Sequence, residues 1–322
     1  MCGIVCLVLI AIIFALSCGR IYYSPSELLQ TLVHPQSNPV AANVIFNIRL
    51  PRIIGALLVG ASLAMAGCSF QNVFHNPLVS PDILGVSYGA AGGAAMAILL
   101  GYGLGGTQAL AFIGGIIAVG LTVALARIIH QKGTLILILA GIVISGFMQA
   151  LIGLLKYTAD PDSQLPSIVY WQLGSLAKVD FSNIIAILPL LIIGTIALIV
   201  LRWHLTVLSL GDQQAQLEGI NIGLERLFII IASTFLTAGT VCLSGNVGWV
   251  GLVIPHIARL LVGDNAQRTL PLSAFLGALF LLIVDTFARS LSVGEIPLSI
   301  LTGFIGTPLF VYILIKKKVR LN

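Results

Sequence analysis

Arg49-Leu50-Pro51-Arg52 sets two guanidinium groups three residues apart, beside a proline suited to helix initiation. Asp285-Thr286-Phe287-Ala288-Arg289 puts a third arginine near the end of another apolar run. Three exposed arginines on a cation-poor chain suit docking to acidic side chains of a partner, because the planar guanidinium fork takes a carboxylate at two points. Lipid headgroups or partners within the chain would serve equally. Asp285 stands four residues before Arg289, the spacing of a helical ion pair, so spacing alone leaves both readings open.

The remaining reactive residue types do not assemble into a catalytic or metal-binding set. His256 follows Pro255 inside an apolar run with no ligand company and reads as structural. Cys2, Cys6, Cys18, Cys68 and Cys242 mostly lie in apolar runs without disulfide or metal spacing and read as small packing residues. No Gly-x-x-x-x-Gly-Lys-Ser/Thr loop occurs, so any ATP, with its magnesium, is expected on another chain. The expectation is a protein with no catalytic residues, metal site or cofactor of its own.

The elements that must hold these residues follow from composition. Of 322 residues 58% are apolar and only 8% charged, and the mean hydropathy is +1.08. Such a chain takes lipid as its solvent. The net charge of +5 is scattered over joints and gathered only at Lys316, Lys317, Lys318 and Arg320, which suits membrane topology and not nucleic acid.

A bilayer core of about 30 Å needs about 20 apolar residues per helix. Apolar runs near 2–19, 52–71, 83–101, 107–129, 134–155, 183–203, 227–245, 247–262, 270–289 and 297–315 predict ten helices in one transmembrane domain, 1–322. The boundary at Ser244-Gly245-Asn246-Val247-Gly248 is the least defined. Ala15-Leu16-Ser17-Cys18 faintly resembles a lipoprotein cleavage site, but no Lys or Arg precedes Arg20, so the first run is read as a helix.

An even count puts both termini on one side, and the basic tail makes that side cytoplasmic. Arg127, Lys132, Arg202, Arg226, Arg259, Arg268 and the four tail cations then lie inside, against Arg20, Arg49, Arg52, Lys156, Lys178 and Arg289 outside. Glycines at four-residue spacing, Gly85/Gly89/Gly93 and Gly60 with Ala64, predict closely packed helices. Segments 20–50 and 156–182 are polar enough to form a surface on the outer side, and Trp171 within the second suits an interfacial anchor. Within 209–224, Leu217, Ile220 and Leu224 are expected near one face of a short amphipathic segment able to seat in a partner's groove.

Ordered strings along nearly the whole chain resemble the FecCD family of permeases from type II ABC importers. They are Arg49 to Arg52, Gly60 to Gly67 with Gln71, Asn76 to Ala90, Trp171 to Ser175, Val250 to Arg259, Asp285 to Arg289, and Glu295-Ile296-Pro297 to Gly306-Thr307-Pro308. One string alone would be weak; the ordered set is specific. Departures are His75 where relatives often have arginine, Glu218 where they often have leucine, and Asn265-Ala266 where Asp-His is frequent.

The resemblance implies an all-α polytopic fold of about ten helices, like the vitamin B12 importer permease. It also implies a homodimer around a pore, two ATPase subunits beneath and a substrate-binding protein above. By the same resemblance Arg49, Arg52 and Arg289 would dock the binding protein. Gly211, Ala215, Leu217, Glu218, Gly219 and Ile220 would couple to the ATPase, and Asn76, Leu78 and Thr134 would form a cytoplasmic gate. Asn76-Pro77 also reads simply as a turn. The expected function is ATP-driven import across a prokaryotic inner membrane by alternating access, with ferric siderophore first as cargo, haem second, and vitamin B12 or molybdate behind. An ion-gradient transporter would favour ionisable groups buried at mid-helix, and here charges fall mainly at joints, Asp285 apart.

Overall fold

The structure is a computed structural model and describes residues 2–129, 134–292 and 294–319. Lys132 and Arg320, two of the expected inner cations, lie outside the described residues. Ten apolar helices occur among the described residues: α1 (Cys2–Ser17), α2 (Leu50–Val73), α3 (Val86–Leu99), α4 (Leu104–Ile128), α5 (Thr134–Thr158), α6 (Phe181–Val200), α7 (Ile222–Ser244), α8 (Val250–Val262), α9 (Ala266–Ser290) and α10 (Leu298–Val319). Seven are long and apolar enough to cross a membrane; α1, α3 and α8 are shorter. The count and order agree with the sequence.

α2 and α7 form the centre, each with 78% of its most apolar window buried, whereas α4, α5, α6 and α10 have less than a third of theirs buried. Small residues let backbones touch at the centre. A Cβ on Gly60 would lie 2.2 Å from the Gly277 carbonyl oxygen of α9, and one on Gly67 would lie 1.9 Å from that of Gly251 in α8. Gly89 and Gly93 meet Gly114 and Leu110 of α4 in the same way. Gly85 departs from this pattern. It takes φ 81° at the start of α3, so it turns the chain instead of packing a stripe. Because the obstacle at Gly67 is backbone, Gly67→Ala is expected to lower stability by about 1–3 kcal/mol. An unchanged thermal midpoint in detergent would reject this packing role.

The uncertain boundary is a real break. α7 stops at Ser244, Gly245 takes φ 68° and Trp249 φ 71°, and α8 restarts at Val250. Gly245 closes on the Trp171 carbonyl, where a Cβ would come within 2.3 Å. Ser175 N donates to Ser244 O at 2.7 Å, and Ser299 Oγ donates to Asn246 O at 2.7 Å. Trp171 is therefore packed into this junction against the core, which the anchor reading did not anticipate. With 13 residues, α8 rises about 20 Å and starts deep in the bundle, where Gly251 meets both Leu63 of α2 and Pro81. Irregular backbone at membrane depth persists only when buried in protein or lining a cavity.

Candidate functional site

The three arginines gather at one end of the bundle, but they are not exposed. Arg49, Arg52 and Arg289 retain 3%, 6% and 6% of their accessible surface. The expectation of exposed guanidiniums is corrected: each is engaged inside the chain. Arg52, one turn into α2, reaches α9, where its Nε lies 2.9 and 3.0 Å from the two carboxylate oxygens of Asp285. Its Nη1 donates to Glu295 at 2.9 and 3.1 Å.

Arg49 sits at the end of a π-helical stretch, Val44–Arg49, that runs into α2. It donates to the carbonyls of Leu16, Ser17 and Ile21 and stacks 5.0 Å over the Tyr23 ring. Arg289 donates to the Ala15 carbonyl, with Nε 4.0 Å from Asp285. Two arginines thus cap the C-terminal end of α1, where helix carbonyls lack partners and the helix dipole is negative. That end offsets the excess of cations over the two carboxylates.

Glu295 is the partly open member of the network, with its side chain 23% exposed and Arg20 3.9 Å away. Its φ of 52° lies in the left-handed region, a conformation a glutamate adopts only when its surroundings hold it there. Around this end the polar segments form short helices. Ser24 caps Pro25–Val33, and its amide and hydroxyl hold the Glu27 carboxyl below the ordinary carboxylate range. In the second segment, bonds from the Ser163 hydroxyl and amide do the same for Asp160.

The opposite end carries the joint between α6 and α7. A short helix, Asp212–Leu217, is bounded by Gly211 at φ 113° and Gly219 at φ 77°. Ala215 is fully buried, and Ile220 packs against the core and donates its amide to Ala215 O at 3.1 Å. Leu217 is 88% exposed and Leu224 52%. The single apolar face expected for Leu217, Ile220 and Leu224 is therefore corrected, since the positive φ at Gly219 ends the helix and turns Ile220 inward. Glu218 and Gly219 are exposed beside Leu217. Asp212 pairs with Arg226 of α7, fixing the joint to the bundle.

At the same end Asn76 Oδ1 accepts from the Leu78 amide at 2.9 Å, the turn that Asn76-Pro77 suggests, and Leu78 is 54% exposed. The 76–85 segment packs on α5 at Gly141 and Ser145. Thr134 opens α5 seven residues before Gly141, about 10 Å along the axis. His256 Nε2 lies 2.8 Å from Pro77 O and its ring meets Phe310, which ties α8 and α10 to this segment as a structural histidine does. Sequence reasoning gave Glu295 no role and missed the link from Arg259 to Gln71, whose amide donates to Gly251 O at 3.3 Å and Leu252 O at 3.2 Å. The signal for both was present, since each is a polar residue inside a quoted string.

The FecCD transport family matches residues 7–316. The molybdate import system permease protein MolB of Haemophilus influenzae is 40% identical over 321 residues, 98% of this chain and 95% of that protein. A Helicobacter pylori protein named "Probable iron chelatin transport system permease protein" is 40% identical over 275 residues, 85% of this chain and 83% of the relative. A solved structure described as "An inward-facing conformation of a putative metal-chelate type ABC transporter" superposes with a TM-score of 0.89 at 40% identity, covering 98% of both chains.

Proposed function

This chain belongs to the FecCD transport family and is a multi-pass ABC importer permease of that type, and from this premise we propose that it carries an iron chelate across a prokaryotic cytoplasmic membrane by alternating access. The observation that carries the reading is the likeness at 40% identity, over 98% of both chains, to the structure described as that of a "putative metal-chelate type ABC transporter". Ferric siderophore ranks ahead of haem as cargo. Molybdate is the second reading, favoured by the relative that matches over 98% of this chain.

In this proposal two copies enclose the pore. Two ATPase subunits beneath hold ATP and magnesium, a substrate-binding protein docks above, and both termini are cytoplasmic. Leu217 and its flanking turn, Gly211 to Ile220, seat on the ATPase, while Asn76, Leu78 and Thr134 line the inner gate. Each step is a population shift set by the differential binding of partners to inward-open and outward-open states.

Sealed vesicles holding this chain with its ATPase and binding protein test the proposal. ATP is expected to drive uptake of radioactive ferric siderophore, with molybdate as the parallel cargo. Uptake driven by a proton or sodium gradient without ATP would overturn it.

Docking takes an altered form. A partner carboxylate reaches Arg52 by exchanging with Glu295, which covers the guanidinium in the free chain. Glu295→Gln is therefore expected to raise binding-protein affinity several-fold at low salt and to lose that gain at high salt. Weaker binding by this variant would reject the exchange.

A further inference from the structure

A cavity of about 760 Å³ lies between α4, α5, α7 and the 211–221 joint, and a second of about 340 Å³ continues it along α4 and α7. Val123, Arg127, Leu227 and Ile230 line both, so the two form one groove. Its basic residues lie in the wider cavity and at the junction, and the narrower cavity is mostly apolar. Arg127 lines both cavities where they join, Arg226 lines the wider one, and Asp212 offsets Arg226. Arg127 is exposed and makes no salt bridge among the described residues. The Arg226 Nε is buried without a hydrogen-bond partner. Beyond the junction the lining includes Ile116, Gly120, Ile231 and Phe235, on two helices long enough to cross the membrane.

We propose that this groove binds an anionic phospholipid, its phosphate held by Arg127 and Arg226 and an acyl chain lying along α4 and α7. Charge and shape both favour this occupant. Basic pockets between membrane helices on the cytoplasmic side suit acidic headgroups, and a cavity of this size holds a small ligand with most of its surface buried. Free phosphate would occupy only the basic part and leave the apolar length uncovered. Asp212, Gln216 and Ile220 line the same cavity, so the lipid sits behind the joint whose Leu217 faces away, and it braces that joint.

Native mass spectrometry of the purified full chain tests the proposal with phosphatidylglycerol, phosphatidylcholine, diacylglycerol and inorganic phosphate as probes. Phosphatidylglycerol is expected to be retained about five-fold or more over phosphatidylcholine, the worth of one cation near an acidic headgroup. Arg127→Gln is expected to bring the two to parity. Gly120→Phe is expected to abolish retention without unfolding, because nothing lies within 4 Å of a Cβ at that position; elution volume checks the fold of both variants. Neither diacylglycerol nor inorganic phosphate should displace the lipid. Equal retention of the two phospholipids overturns the proposal, as does displacement by inorganic phosphate. So does a Gly120→Phe variant that separates dimers while phosphatidylglycerol retention is unchanged, because the groove would then be a contact between copies.

Discussion

Asp285→Asn is expected to lower the stability of the detergent-solubilised protein by about 3–5 kcal/mol, the penalty for removing one partner of a buried ion pair. Asp285 is fully buried and is the carboxylate common to Arg52 and Arg289. Replacing it with a neutral amide leaves two guanidiniums in a site with little water. Arg52 keeps Glu295, and Arg289 keeps only the Ala15 carbonyl. α1 is then expected to loosen from the bundle, because its C-terminal end is held by Arg49 and Arg289. Glu295→Gln should cost less than about 1 kcal/mol, since that carboxylate is partly solvated. The double variant Arg52→Gln with Asp285→Asn should recover part of the loss, because a neutral pair can still share a hydrogen bond. Chemical denaturation followed by tryptophan fluorescence measures all three. A midpoint for Asp285→Asn equal to that of the parent would show that the network contributes nothing to folding.

This cluster also shows where sequence reading stopped. The spacing of Asp285 and Arg289 suggested a helical pair, and that contact exists at 4.0 Å. The stronger partner of Asp285 is Arg52, 233 residues away along the chain. No local pattern announces that the carbonyls of α1 come to lie on Arg49 and Arg289, so the arginines looked exposed when they were already engaged. Seven of the ten helices were legible because lipid forces a span to be long and apolar, the three shorter ones because they too are apolar runs between polar joints, and the family strings fixed their order. Glycine spacing at Gly60, Gly89 and Gly93 identified the tight contacts, because small residues at such spacing have few other uses in a membrane helix. The 211–224 joint was misread for a local reason. A helical wheel was carried through Gly219, although the helix ends at Leu217 and Gly219, two residues on, takes a positive φ. The glycines at 211 and 219 were the signal that the wheel should stop.

With the joint drawn correctly, Leu217 becomes its most telling residue. It is 88% exposed at the end of the short helix, beside a buried Ala215 and an inward Ile220. A leucine so placed contributes almost nothing to the fold, so its substitution isolates contact with a partner. Burying a leucine side chain fully is worth about 1.5–3 kcal/mol, and an aspartate at the same point would add a desolvated charge to the interface. Leu217→Asp is therefore expected to weaken association with the ATPase by about 30-fold or more. ATP-driven uptake in vesicles should fall in proportion, while thermal stability and elution volume stay at the parent's values. Gly219→Val should act differently. It strains a left-handed position by about 1–2 kcal/mol and displaces Leu217, so it should weaken the same association while also lowering stability. Leu217→Met, which preserves an apolar side chain of similar volume, should keep most of the affinity. Pull-down or light-scattering titration of the purified permease with its ATPase separates these outcomes. Parent-like affinity in Leu217→Asp would remove the joint from the coupling interface and send the search to Leu78, another exposed apolar residue at this end.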